Sequence, residues 1–232
     1  MTQAAKKSTT NASSDRRLTY LTSYRTEGVV LTAVVFMVLL WSAIAPFDRV
    51  TWWLEVAPAL LAIPLLWITF TRFPFTPLTY RWVCVHCIIL IVGGHYTYAN
   101  VPIGHWFQDV FDLSRNHYDR LGHIAQGFVP ALVIREILLR RSPLVAGKWL
   151  FFLVSATALA ISAFYEFIEW WVALAAGIGA ENFLGTQGDP WDTQWDMFLA
   201  MSGSIVAQLV FGSMQDRQLH KIGCSAPHDS AS

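Results

Sequence analysis

Residues 149–174 read WLFFLVSATALAISAFYEFIEWWVAL, a run without Lys, Arg or Asp whose only charged groups are Glu166 and Glu169. As a helix rising 1.5 Å per residue it is about 39 Å long, more than the roughly 30 Å hydrocarbon core of a bilayer. A helix this long on the surface of a soluble domain would carry a polar stripe. This one has none, so the run predicts a membrane span. Five further apolar runs accompany it, at 28–45, 52–70, 82–98, 121–139 and 190–214. The expected fold class is therefore all-α: a polytopic membrane protein, a bundle of six transmembrane helices.

Composition agrees. The chain has 232 residues, 54% hydrophobic and only 14% charged, with a mean hydropathy of +0.42. Soluble domains carry about 25% charged residues. Sixteen basic residues face sixteen acidic ones, so there is no electrostatic footprint for nucleic acid, which is excluded as a partner. Three scattered cysteines do not make a disulfide framework. The organisation expected is a head at 1–27, a six-span membrane domain at 28–214 and a cytoplasmic tail at 215–232, with the head and the tail after Cys224 mobile. The first run follows a basic head and ends Ala43-Ile44-Ala45, like a signal-peptide cleavage site, but its length and Pro46 favour a span. Pro58 and Pro64 in the second run read as tolerated kinks.

Lys and Arg give the orientation. With the N-terminus cytoplasmic, every basic residue except Arg49, Arg115 and Arg120 falls on the inner side. Both termini are expected there. Eight of the eleven tryptophans then lie toward the outer interface, among them Trp106, Trp170, Trp171, Trp191 and Trp195.

Ionisable groups inside spans are costly and usually functional. Direction and helical rise alone bring several of them to one depth. His95 lies about 20 Å beyond Trp82, and Glu166 about 25 Å beyond Trp149 with Glu169 one turn higher. The fourth and sixth spans run inward and carry His123 and Asp196 in their first turns. Glu166 and Glu169 have no cation nearby in sequence, so protonation, a basic group from another helix or a metal must neutralise them. Asp119 and His123 are related i, i+4, as are Asp192 and Asp196. Asn116-x-x-Asp119 also reads as a capping box, and Asp189-Pro190-x-Asp192 as N-cap, first-turn proline and first-turn acid. Both readings, cap and site, stand for these acids.

Before the fourth span, Ile103, Trp106, Phe107, Val110 and Phe111 recur at helical spacing opposite Gln108, Asp109 and Asp112, which predicts a short amphipathic helix on the outer leaflet. Arg115, His117 and Arg120 follow, placed either to meet a phosphate or carboxylate headgroup or to balance the neighbouring acids. Cys84-Val85-His86-Cys87 lies on one helix without a second ligand pair and reads as packing.

Four stretches carry a resemblance. They are Gly94-His95-Tyr96-Thr97-Tyr98-Ala99, His117-Tyr118-Asp119-Arg120-Leu121-Gly122-His123, Glu166-Phe167-Ile168-Glu169-Trp170, and the long segment from Gly185 to Met197. In this order they resemble the bacterial inner membrane protein YjdF family over roughly residues 20–215. The resemblance implies a multi-pass protein of the bacterial cytoplasmic (inner) membrane and supplies no reaction. A fainter similarity is to VanZ-like membrane proteins, whose pattern is Asp-Lys-x-x-His, Glu-x-x-Gln and Asp-x-x-x-Asn. Here Arg120, Glu169 and Asp196 stand for the Lys, Gln and Asn, and the two added acids favour a cation.

Two functions are compatible with these residues. One is a metal-dependent enzyme acting on a lipid or lipid-linked substrate at the outer leaflet. Glu166, Glu169, His123 and Asp196 would be its catalytic residues, and with Asp119 and Asp192 they would ligate a divalent metal ion. Arg115, Arg120, His117 and His95 would bind substrate. The alternative is a non-catalytic binder or translocator of a lipid, cell-wall precursor or small amphiphile.

Overall fold

The computed structural model describes residues 24–176 and 181–222. The parts of the head at 1–23 and of the tail at 225–232, for which mobility was expected, lie outside the described residues. What is described is helical, without a strand: α1 (Tyr24–Ser42), α2 (Arg49–Thr69), α3 (Pro77–Tyr96), a 3-10 turn (Tyr98–Asn100), α4 (Pro102–Phe111), α5 (Tyr118–Arg141), α6 (Lys148–Ala176), α7 (Glu181–Leu184) and α8 (Asp192–Lys221). Six of these, α1, α2, α3, α5, α6 and α8, are long and apolar enough to cross a membrane. The fold is that of a polytopic membrane protein.

Local chemistry sets the helix ends. Asp48 caps α2 by accepting from Thr51 N at 2.7 Å, and Thr76 caps α3 ahead of Pro77 in its first turn. Pro58 and Pro64 sit inside an unbroken α2. The last span runs further than the sequence suggests, continuing past 214 to Lys221 because Gln215 and Leu219 are buried against neighbouring helices.

Lipid tails are as apolar as leucine, so close packing rather than apolar burial holds membrane helices together. The closest pair is α5 and α8. A Cβ on Gly127 would collide with the Ala200 carbonyl, and one on Gly203 with the Ile124 carbonyl, so the two backbones touch where these glycines meet. Leu132, Leu139, Leu150, Val154, Ala207 and Leu219 form the core shared by α5, α6 and α8. A second core joins α1, α2 and α3 through Val35, Trp52, Val56, Cys84, Cys87 and Ile91. The thiols of Cys84 and Cys87 are thus packing groups. Trp52 Nε1 donates to Ser42 Oγ at 3.1 Å and Trp67 Nε1 to Thr32 Oγ1 at 2.9 Å, tying α1 to α2.

One end of the bundle is closed by a polar network. Glu136 of α5, 0% exposed, accepts from Thr76 N, from the hydroxyls of Thr76 and Thr79, and from Gln215 Nε2. Arg135 forms a bidentate pair with Asp216 at 2.8 and 3.0 Å, and Arg140 lies over the Phe73 ring and donates to Pro74 O. Each group finds its partner on another element, so the network locks α3, α5 and α8 together.

α4 lies at the opposite end, as the amphipathic pattern predicts. Its Gly104 rests on the Asn116 side chain while Ile103, Trp106, Phe107, Val110 and Phe111 are exposed.

Candidate functional site

The site forms at the α4 end, where α3 and α6 finish and α5 and α8 begin. Asn116 anchors the start of α5. Its Oδ1 accepts from Tyr118 N, its Nδ2 donates to Val101 O at 3.0 Å, and its backbone exchanges two hydrogen bonds with the Gln187 side chain. The reciprocal capping bond from Asp119 does not form. Asp119 instead turns toward His123 on the same helix face, with Oδ1 3.4 Å from Nε2. Asp196, in the first turns of α8, brings its Oδ1 to 3.7 Å from the same nitrogen. The glycine crossing of α5 on α8 makes this approach possible.

Glu166 and Glu169 reach the same place from α6. The ligand atoms of His123, Glu166 and Glu169 lie within 4.8 Å of one another, as do those of Asp119, His123 and Asp196. His123 Nδ1 is 2.9 Å from Gln126 Oε1, an acceptor placed for its proton, so Nε2 is the ring nitrogen that faces the carboxylates. Asp119, His123, Glu166 and Asp196 are all buried. Asp119 Oδ2, Glu166 Oε1 and Asp196 Oδ1 have no hydrogen-bond partner, an expensive arrangement for buried carboxylates.

A second layer surrounds this cluster. Arg115 Nη1 binds Asp192 at 2.6 Å and reaches Asp189 at 3.5 Å, while Nη2 donates to Gly185 O at 3.2 Å. Arg120 binds Asp189 at 3.1 Å and covers the Trp195 ring. Positive φ at Gly185 and Gly188, which glycine adopts freely, folds this connection back over Arg115. Asp189 also accepts from Trp191 N, so it bends the chain just before α8 rather than capping the helix behind Pro190. Both arginines are therefore engaged by acids. Asp192 belongs to Arg115 and stands outside both candidate ligand groups.

His117 is half-buried beside the two arginines, its Nδ1 without a hydrogen-bond partner. Burial and the charges of Arg120 and Arg115 hold its pKa below the ordinary 6.5. His95 is not brought to the cluster. Its Nδ1 lies 2.9 Å from Ser42 O, and its ring packs on Trp41 and Tyr96.

Sequence reasoning missed Glu55 and the two phenols that bind it. Glu55 is buried on α2 and bonds the side chains of Tyr98 and Tyr165, near Asp119 and His123. Tyr98 gets there because Thr97 holds φ 58°, rare for a β-branched residue, which turns the chain back so that the ring slots between Gly93 and Gly122. Burial and the adjacent Glu55 keep the Tyr98 phenol well above its ordinary pKa, so it stays a donor. The available signal was a glutamate one turn inside an apolar run, opposite a tyrosine-rich motif.

Six apolar helices around a buried His and carboxylate cluster define a multi-pass membrane protein with a polar centre at one end of the bundle. More particularly, the chain belongs to the YjdF family of inner-membrane proteins. Residues 28–217 match the family described as "Predicted membrane protein (DUF2238)". The chain is also 51% identical over 187 residues to "Inner membrane protein YjdF" of Escherichia coli (strain K12), covering 81% of this chain and 90% of that protein. No solved structure matches it.

Proposed function

We propose that this protein is a membrane-embedded, metal-dependent enzyme that acts at the outer leaflet on a lipid or lipid-linked substrate, with a divalent cation held by His123, Asp119, Asp196, Glu166 and Glu169. The observation that carries this reading is the spacing around His123 Nε2. Distances of 3.4 and 3.7 Å to the two aspartates are long for charge-assisted hydrogen bonds, which fall near 2.7–2.9 Å. Ligands about 2.1 Å from a tetrahedral metal lie about 3.4 Å apart. The unpartnered carboxylate oxygens need the same cation.

A cation there would polarise an ester or phosphoester oxygen or activate a water. Gln126 orients the imidazole, and the Arg115–Asp192 pair fixes α8 so that Asp196 stays in reach. The exposed apolar face of α4 suits burial in the adjoining leaflet. The distribution of Lys and Arg supports cytoplasmic termini, hence a site at the outer leaflet. A translocator is less well supported, because the Glu136 network fills the other end of the bundle.

Metal analysis of the detergent-purified protein tests the reading, together with mass spectrometry of membrane lipids from cells with and without it. Bound divalent metal is expected in the wild type, with loss of metal and of any lipid change in the Glu166→Gln/Glu169→Gln double variant. Equal metal content and equal lipid profiles in both proteins would overturn it.

A further inference from the structure

We infer that the cluster holds two divalent cations, not one; this rests on the cation reading above. Two groups of ligand atoms meet there, Asp119, His123 and Asp196 on one side and His123, Glu166 and Glu169 on the other. Gln126 occupies His123 Nδ1, so Nε2 is the one nitrogen lone pair on offer and serves a single cation. The second group then reduces to carboxylates, each of which has two oxygens and can bridge.

Charge supports the same count. Arg115 and Arg120 are taken up by Asp192 and Asp189. Arg115 comes no nearer to Asp119 than 3.9 Å, and Asp119 Oδ2 has no hydrogen-bond partner. Glu55 has its own donors in Tyr98 and Tyr165. Asp119, Asp196, Glu166 and Glu169 are left, four carboxylates beside one imidazole whose Nδ1 proton is already committed. A single divalent cation neutralises half of that charge, and a pair neutralises all of it. Each group contributes an unpartnered, nine-tenths buried oxygen of its own, Asp196 Oδ1 at one end and Glu166 Oε1 at the other. The donor set, mostly carboxylate with one imidazole, suits hard cations of the magnesium and manganese type.

Manganese is the probe. The full-length protein in detergent, stripped with chelator, is titrated with Mn²⁺ and followed by equilibrium dialysis and electron paramagnetic resonance. Two equivalents per chain are expected, with the exchange-coupled spectrum of ions about 3.5–4 Å apart, the spacing of two-metal sites. Glu169→Gln is expected to give one equivalent with an uncoupled spectrum. A single equivalent in the wild type, or two uncoupled ions, overturns the pair and leaves the single-cation reading standing. No binding of Mn²⁺ or of any other divalent metal overturns both. The wild-type titration decides the matter even if the variant does not fold.

Discussion

Arg115 Nη1 lies 2.6 Å from Asp192 Oδ1, and each side chain is only 7% exposed. The connection from α4 to α5 is thereby fastened to the first turn of α8 by a pair of charges withdrawn from solvent. Removing one partner strands the other, which in buried pairs costs about 3–5 kcal/mol. Arg115→Ala is therefore expected to lower the unfolding midpoint in detergent sharply, and Arg115→Lys, which keeps the charge but loses the fork, to fall between. A midpoint unchanged in Arg115→Ala would show that the pair contributes nothing.

Gln126 Oε1 lies 2.9 Å from His123 Nδ1 and is placed to accept its proton. Outer-shell partners of metal-bound histidines typically contribute 10–100-fold to metal affinity. Gln126→Leu should weaken divalent-cation binding by about that factor while leaving the thermal midpoint close to wild type. Gln126→Glu, which keeps an acceptor on Nδ1, should bind at least as well as wild type. Equal affinity in all three proteins would remove Gln126 from the account.

The Glu136 network and the His123 cluster occupy opposite ends of the bundle, so their effects should separate. Glu136→Ala leaves the donors of Thr76 and Thr79 buried without an acceptor, at about 1–3 kcal/mol for each unsatisfied group. A marked loss of stability is expected, with metal per folded chain unchanged. If metal content fell in step with stability across several partial variants, the two ends would be coupled through the helices.

His117 gives a pH dependence whose sign is fixed by its surroundings. Its folded pKa lies below the ordinary 6.5, through burial and then the neighbouring Arg120 and Arg115. The unfolded chain therefore takes up a proton first as the pH drops. The neutral ring's contribution is complete above 6.5 and is lost as the pH falls from there through the folded value. Comparing wild type with His117→Asn from about pH 8 to about pH 5 isolates this imidazole. The wild type should lose more of its thermal midpoint on acidification. Parallel curves would mean that His117 is not perturbed by folding. The effect should be modest, since the ring is partly solvated.

The six spans were legible because a bilayer demands length and apolarity, and both are properties of the chain itself. The meeting of His123, Glu166, Glu169 and Asp196 was legible for a related reason, since helical rise fixes depth once direction is known. Depth is only one coordinate. His95 has the right depth, yet α3 turns its ring toward α1 and the Ser42 carbonyl, and rise does not encode that rotation. Asp119 and Asp192 followed cap-like spacing, but the stronger pull of an imidazole and a guanidinium from beyond the cap decided their orientation. Glu55 and Glu136 stand near the ends of apolar runs, where a charge reads as interfacial. Both are buried, since their partners come from elements far away in sequence.

At Gly127 and Gly203 the main chains of α5 and α8 come together with no room for a methyl group. The helix bearing Asp119 and His123 and the helix bearing Asp196 are thus spaced by bare backbone, with no side chain between them to repack. Loosening that seam to gain tolerance would carry Asp196 away from His123, so durability of the fold and reach across the site depend on one contact. Substitutions at two residues without any reactive group should therefore be as damaging to the centre as substitutions within it.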